Sequence, residues 1–208
     1  TLYIASLTYN YVHKLASKGQ YVPDIILAGG FAFEDDIFKA MALGAPYVKA
    51  VGMARSPLCA AHVGKLVAEQ INKNAIDKTI EPYGKTTDEI FVLASRVKRL
   101  FGSKGKEVPA GALGVYSYYQ RLSQGLRQLM CGSRKFALEY LTRDDVVTLT
   151  RDAAEVTGLK YIMEADSEEA EQILMGKEKT KSKIVAKVKP KATSKTRAKS
   201  KDKGKKKK

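Results

Sequence analysis

Two short glycine turns carry the first chemical signal in this chain. Ala28-Gly29-Gly30 ends the apolar run Ile25-Ile26-Leu27, and Gly52-Met53-Ala54-Arg55 follows Tyr47 to Val51. Glycine has no Cβ, so its backbone N–H can approach an anionic oxygen closely and its φ is free to turn positive. Where such a turn leads into a helix, the unpaired N-terminal amides and the helix dipole favour negative charge, and phosphate uses several donors at once. Two neighbouring turns of this kind would grip one phosphate from two sides. Arg55, three residues beyond Gly52, would add a charge-assisted contact; a surface arginine facing water is the equal alternative. Gly-Gly after a strand is also often no more than a turn.

The elements that would carry these turns follow from periodicity. Residues 1 to 71 alternate helical and strand patterns: a helix over Leu7 to Lys18, a strand at Asp24 to Ala28, a helix from Asp35 to Leu43, a strand at Tyr47 to Val51, and a helix from about Leu58 to Asn72. Strand, crossover helix and parallel strand at this spacing make a βαβ unit. Gly44 is a candidate helix C-cap, and Glu34-Asp35-Asp36 puts acids at a helix start, where capping is a better reading than paired catalytic carboxylates. Residues 87 to 175 read as helices, with Thr86, Thr87 and Asp88 as capping candidates and Ile90, Leu93, Ala94, Val97 and Leu100 at helical spacing. Between them, "FGSKGKEVPAGALG" reads as a glycine-rich loop. The expected organisation is therefore 1–75, 76–175 and 176–208.

Other chemistry is thin. His13 and His62 stand without a Cys, Asp or Glu at metal or triad spacing and read as structural or solvent-facing. Lys49 lies mid-strand, where burial without a partner is costly, so it should point to the ligand end or pair with a neighbouring strand. Tyr116, Tyr118 and Tyr119 read as packing a helix onto the core. Two cysteines are too few for a disulfide framework; a reducing, cytoplasmic compartment is expected, and Cys59 is read as a small buried hydrophobe. No apolar run reaches the roughly 18 residues of a membrane span.

The series Ala28-Gly29-Gly30, Lys39-Ala40-Met41-Ala42-Leu43-Gly44-Ala45 and Val51-Gly52-Met53-Ala54 resembles the last two βα units of FMN-binding (β/α)8 barrels, the group containing inosine monophosphate dehydrogenase, 2-hydroxy acid oxidases and glutamate synthase. Residues 126 to 162, with "YLTRDDV", are similar to the C-terminal end of glutamate synthase-like FMN proteins. The resemblance implies an α/β chain: C-terminal βα units of a TIM barrel, a helical extension, and then a basic tail. It implies FMN held by Ala28, Gly29, Gly30, Gly52, Met53, Ala54 and Arg55. It implies reductive amination of 2-oxoglutarate to glutamate with nitrogen from glutamine or ammonia, and an electron-donor protein or subunit. Another FMN-dependent oxidoreductase of a 2-oxo or 2-hydroxy acid stays open, since fold does not fix substrate. A complete barrel takes about 250 residues, so the expectation is the end of a larger enzyme, with the catalytic residues in the preceding part. The larger relatives carry a cysteine cluster for an iron–sulfur centre. Here Cys59 is alone in that region and Cys131 lies 72 residues further on, so a cluster on this chain is doubtful.

The charge belongs to one end. Of the net +15, residues 176 to 208 hold 16 Lys and Arg against 2 acids, leaving 21 against 20 in residues 1 to 175. Without aromatics or periodicity that tail cannot offset ordering entropy and is expected to be disordered. Its attraction for polyanions comes from counterion release and falls steeply with salt. Deleting residues 177 to 208 is therefore expected to abolish retention on a nucleic-acid column. Flavin content and turnover of the complete protein should stay within about a factor of two, roughly 0.4 kcal/mol. A salt-resistant, sequence-specific complex made by the tail would make it the functional element instead.

Overall fold

The computed structural model describes residues 2–176, and the Lys-rich tail expected to be disordered lies outside the described residues. The chain divides into two units, Thr1–Ala165 and Asp166–Lys208. The first is mostly helical with a small parallel sheet.

Helix α1 (Leu2–Ser17) leads to strand β1 (Ile25–Ala28), helix α2 (Glu34–Leu43), strand β2 (Val48–Gly52) and helix α3 (Arg55–Asn72). This is the expected βαβ order, with α1 beginning five residues and α3 three residues before the expected starts. β1 and β2 pair in parallel, Leu27 opposite Val51 and Ala28 opposite Gly52. Ile25 pairs with Val48 but Ile26 with Ala50, so Lys49 is one extra residue in β2. That bulge corrects the expectation for Lys49: its side chain is exposed and Nζ donates to the Pro46 carbonyl at 2.9 Å, neither reaching the ligand end nor pairing across the sheet. One face of the sheet packs on α2, with Leu27, Phe31, Phe38, Met41, Leu43 and Val48 in one core cluster. The other face presents Ile26, Ala28 and Ala50 to solvent.

Beyond residue 75 come helices α4 (Thr87–Ile90), α5 (Ala94–Leu100), α6 (Ala110–Gly132) and α7 (Arg151–Thr157). Thr86 caps α4 as expected: its Oγ1 accepts from the Glu89 amide at 3.3 Å, and Glu89 returns a carboxylate to the Thr86 amide at 3.0 Å. The single helix expected over Ile90 to Leu100 is broken instead, because Leu93 adopts a left-handed φ of 59°. The stretch read as a loop is also helical: Gly102–Glu107 forms a 3-10 turn, and Gly111 and Gly114 lie inside α6. Nor is the region wholly helical, since Thr148 and Tyr161 form a parallel bridge.

Gly111 and Gly114 serve packing. A Cβ on Gly64 of α3 would fall 2.6 Å from the Ala110 carbonyl oxygen, and one on Gly111 3.0 Å from that of Ala61. A Cβ on Gly114 would enter the Ala60 carbonyl and lie 3.1 Å from the Gly64 Cα. The helices meet backbone to backbone, with Val67, Leu113, Phe91, Ala94 and Val97 clustered beside them. Within the first unit, the βα part and helices α4 to α6 thus pack together.

Arg143 ties the remainder down. Nη1 donates to the Leu43 carbonyl at 2.6 Å and Nη2 to the Thr157 carbonyl, while the guanidinium lies 4.0 Å from the Tyr9 ring centroid. A cation thus meets the last carbonyls of α2 and α7, where the helix dipoles favour it. In the second unit, helix α8 spans Ser167–Leu174. Among the described residues, no helix is long and apolar enough to cross a membrane.

Close helix contact makes a signed prediction. Gly64→Ala should destabilise the protein by about 1–3 kcal/mol through overpacking. Gly132→Ala, in the last turn of α6 with open space at its Cβ, should be neutral or stabilise by up to about 1 kcal/mol. Urea unfolding of both variants checks this; equal shifts of one sign would contradict the packing.

Candidate functional site

The two glycine turns meet at the carboxyl ends of β1 and β2. Gly29 and Gly30 take φ values of 111° and 79°, which non-glycine residues rarely adopt, so the first turn needs its glycines for conformation. Gly52 differs: its Cβ would lie 3.1 Å from the Ala28 Cβ, so its bare backbone keeps the strand ends together. Beyond it, Ala54 is the N-cap of the 18-residue α3 and offers no side-chain cap. Arg55 and Ser56 occupy the first two helical positions, whose amides have no partner within a helix. Pro57 sits third, where a missing N–H costs nothing.

All seven residues expected to hold FMN, namely Ala28, Gly29, Gly30, Gly52, Met53, Ala54 and Arg55, line one cleft of about 860 Å³. Arg55 is exposed and makes no ion pair among the described residues. Phe31, Ser56, Cys59 and Tyr118 are among the other lining residues and are not among the site residues expected from the sequence. Ser56 stood one position past Arg55 and was findable as a helix-start hydroxyl. Tyr118 comes from α6, 86 residues from its partner Ala32 in sequence, and local spacing holds no signal for it.

The first turn is tied on three sides. The Ser56 hydroxyl donates to the Phe31 carbonyl at 3.0 Å, and the Tyr118 hydroxyl to the Ala32 carbonyl at 2.6 Å. Burial pushes the Tyr118 hydroxyl's pKa up, so it is a protonated donor at neutral pH. One Asp36 carboxylate oxygen accepts from the Ala32 and Phe33 amides at 3.1 Å each, closing the chain onto the first turn of α2. Asp35 instead pairs with Lys39 at 2.6 Å on the surface, and this partner lowers its pKa. The acidic triplet therefore caps and solvates the helix start, as its position implied.

Cys59 corrects the sequence reading. It is exposed beside the cleft, not buried in the core, because α3 turns Leu58, His62 and Leu66 outward and its small-residue side toward α6. His13 Nδ1 lies 2.9 Å from the Tyr47 hydroxyl with its ring stacked on Tyr9. Among the described residues no group of three His, Cys, Asp or Glu side chains is placed to hold a metal ion.

The arrangement gathers two glycine turns, a helix start and a guanidinium around one cleft, groups of the kind that suit a compact anion. No protein-family model matches the chain, and neither does any curated protein or solved structure.

The neighbouring carboxylates should behave differently. Asp36→Ala strands two amides and is expected to cost about 1–2 kcal/mol. Asp35→Ala removes only an exposed i,i+4 pair and should cost under about 0.5 kcal/mol. Denaturant midpoints for the two variants distinguish them, and similar losses would refute the assigned roles.

Proposed function

We propose that the chain is the C-terminal part of an FMN-dependent, glutamate synthase-like oxidoreductase and that its cleft holds the phosphate end of the flavin. One observation carries this reading: the residues of both glycine turns converge on one cleft at the carboxyl ends of two parallel strands, the place where barrel enzymes bind phosphate. The residues fit the group. A positive-φ turn, a helix start without a side-chain cap and an exposed Arg55 together supply amide donors and positive charge to a phosphate monoester.

The sheet supports the wider architecture. Parallel strands are normally covered on both faces, yet Ile26, Ala28 and Ala50 face solvent, and each strand has one unpaired edge among the described residues. Helix α1 also exposes Tyr3, Leu7 and Tyr11 along one side. These surfaces are accounted for if β1 and β2 are the last two strands of a (β/α)8 barrel whose other strands complete the sheet.

When bound, FMN would supply the two-electron chemistry by which 2-oxoglutarate, ammonia, two electrons and two protons give glutamate and water. The task of this chain is to fix the cofactor's phosphate, with Gly29 and Gly30 shaping the turn, the start of α3 giving amides, and Arg55 adding charge. The donor of electrons would be a partner protein or subunit. Another 2-oxo or 2-hydroxy acid could be served by the same flavin site. The net +14 of residues 176 to 208 favours a second reading, in which the tail binds polyanions.

Purified full-length protein is expected to show the visible absorption of bound flavin and to form glutamate from 2-oxoglutarate and glutamine or ammonia with a reduced donor. Gly30→Val, which places a branched side chain at a φ of 79°, should lose at least about tenfold in FMN affinity with helix content retained by circular dichroism. A colourless wild-type protein that takes up no added FMN would overturn the proposal.

A further inference from the structure

We propose that Tyr118 is a positioning residue for the phosphate-binding turn, so that the helical segment after residue 75 sets the protein's preference for a phosphorylated over an unphosphorylated flavin. The inference rests on the FMN reading above and assigns a task to a residue on an element that reading does not use.

Gly29 and Gly30, with φ values of 111° and 79°, have no side chains of their own to hold the turn's shape. Its course is set by the residues just after it. The Phe31 carbonyl is held by Ser56 and the Ala32 and Phe33 amides by Asp36, all within the βα part. The Ala32 carbonyl is held by the Tyr118 hydroxyl at 2.6 Å, reaching from α6 across the cleft that the turn lines. That hydroxyl is itself well fixed, because α6 lies against α3 through Gly111 and Gly114 without intervening side chains. The same helix pair therefore fixes both walls of the cleft: the start of α3, with its amides, and the hydroxyl that ties the opposite turn. A ligand phosphate gains from several donors only while their spacing is fixed beforehand, so loosening one wall weakens the phosphate contact and leaves contacts to the rest of the ligand unchanged.

The test uses the full-length protein, stripped of flavin and titrated with FMN and with riboflavin, which lacks the phosphate. Tyr118→Phe keeps the ring and removes only the donor. It is expected to weaken FMN binding about fivefold while riboflavin affinity and the thermal midpoint stay at wild-type values. Tyr119→Phe, on the exposed neighbour, should leave both affinities unchanged. Equal loss of FMN and riboflavin affinity in Tyr118→Phe, with a lower midpoint, would make the tyrosine merely structural and overturn the inference. Undiminished preference for FMN in Tyr118→Phe would overturn it while leaving the flavin reading intact. A wild-type protein that binds FMN and riboflavin equally would remove the phosphate site itself, and Tyr118's role with it.

Discussion

The bare-backbone contact between α3 and α6 is the constraint from which the rest of the candidate site follows. Gly64, Gly111 and Gly114 let the two helices approach until the space a Cβ would fill on each is taken by a backbone carbonyl of the other. Such contact leaves little freedom to slide or roll, since any rotation would bring a side chain into the gap. It fixes where α3 begins, beside the end of β2, and where Tyr118 reaches, beside the end of β1. Dispersion and burial in the Val67, Leu113 and Phe91 cluster hold the contact together. The cleft is therefore a product of helix packing as much as of the strands it caps.

The sheet poses the complementary problem. A two-stranded parallel pair gains its ladder bonds on one side only and buries apolar surface on one face only. α2 covers the face of Leu27 and Val48; nothing among the described residues pairs the outer strand edges. An isolated parallel pair is a poor folding unit, because its non-local pairing costs loop-closure entropy before much surface is buried. This pair persists because α2, α1 and the segment around Leu141 surround its covered face in one cluster that includes Ala5, Met130 and Leu141.

The sequence made the βαβ order legible because its signals are local. Apolar runs of strand length end in glycine, acids stand at the start of α2, and Gly44 closes it with its N–H donating to the Ala40 carbonyl at 3.2 Å. The glycines after each strand pointed to the cleft, and their convergence required only that the strands be parallel neighbours. What stayed illegible depends on distant partners. Glycines 111 and 114 look like loop glycines until α3 is placed against them. Lys49 looks buried until the bulge at β2 is known. Leu93 sits in a left-handed conformation that no helical spacing pattern foretells. Cys59 looks like core until its helix face is assigned, and Tyr118 acquires a role only from the turn it reaches.

One consequence of this layout concerns α2, the helix that begins where the phosphate-binding turn ends. Its first turn is held by Asp36 bonding back to Ala32 and Phe33, and Glu34 packs on α6 where a Cβ on Gly125 would come within 2.6 Å. Its last carbonyls receive the Gly44 amide and the Arg143 guanidinium, which also stacks on Tyr9 of α1. Helix ends are where fraying starts, and fraying at the N-terminus would release the glycine turn with it. Both ends of α2 are therefore anchored to segments beyond residue 75, through Gly125 at one end and Arg143 at the other. The "LTRDD" stretch thus acts at a distance: Arg143 bonds to the Leu43 and Thr157 carbonyls, which lie outside the cleft lining, and so holds the far end of the helix whose near end shapes the turn.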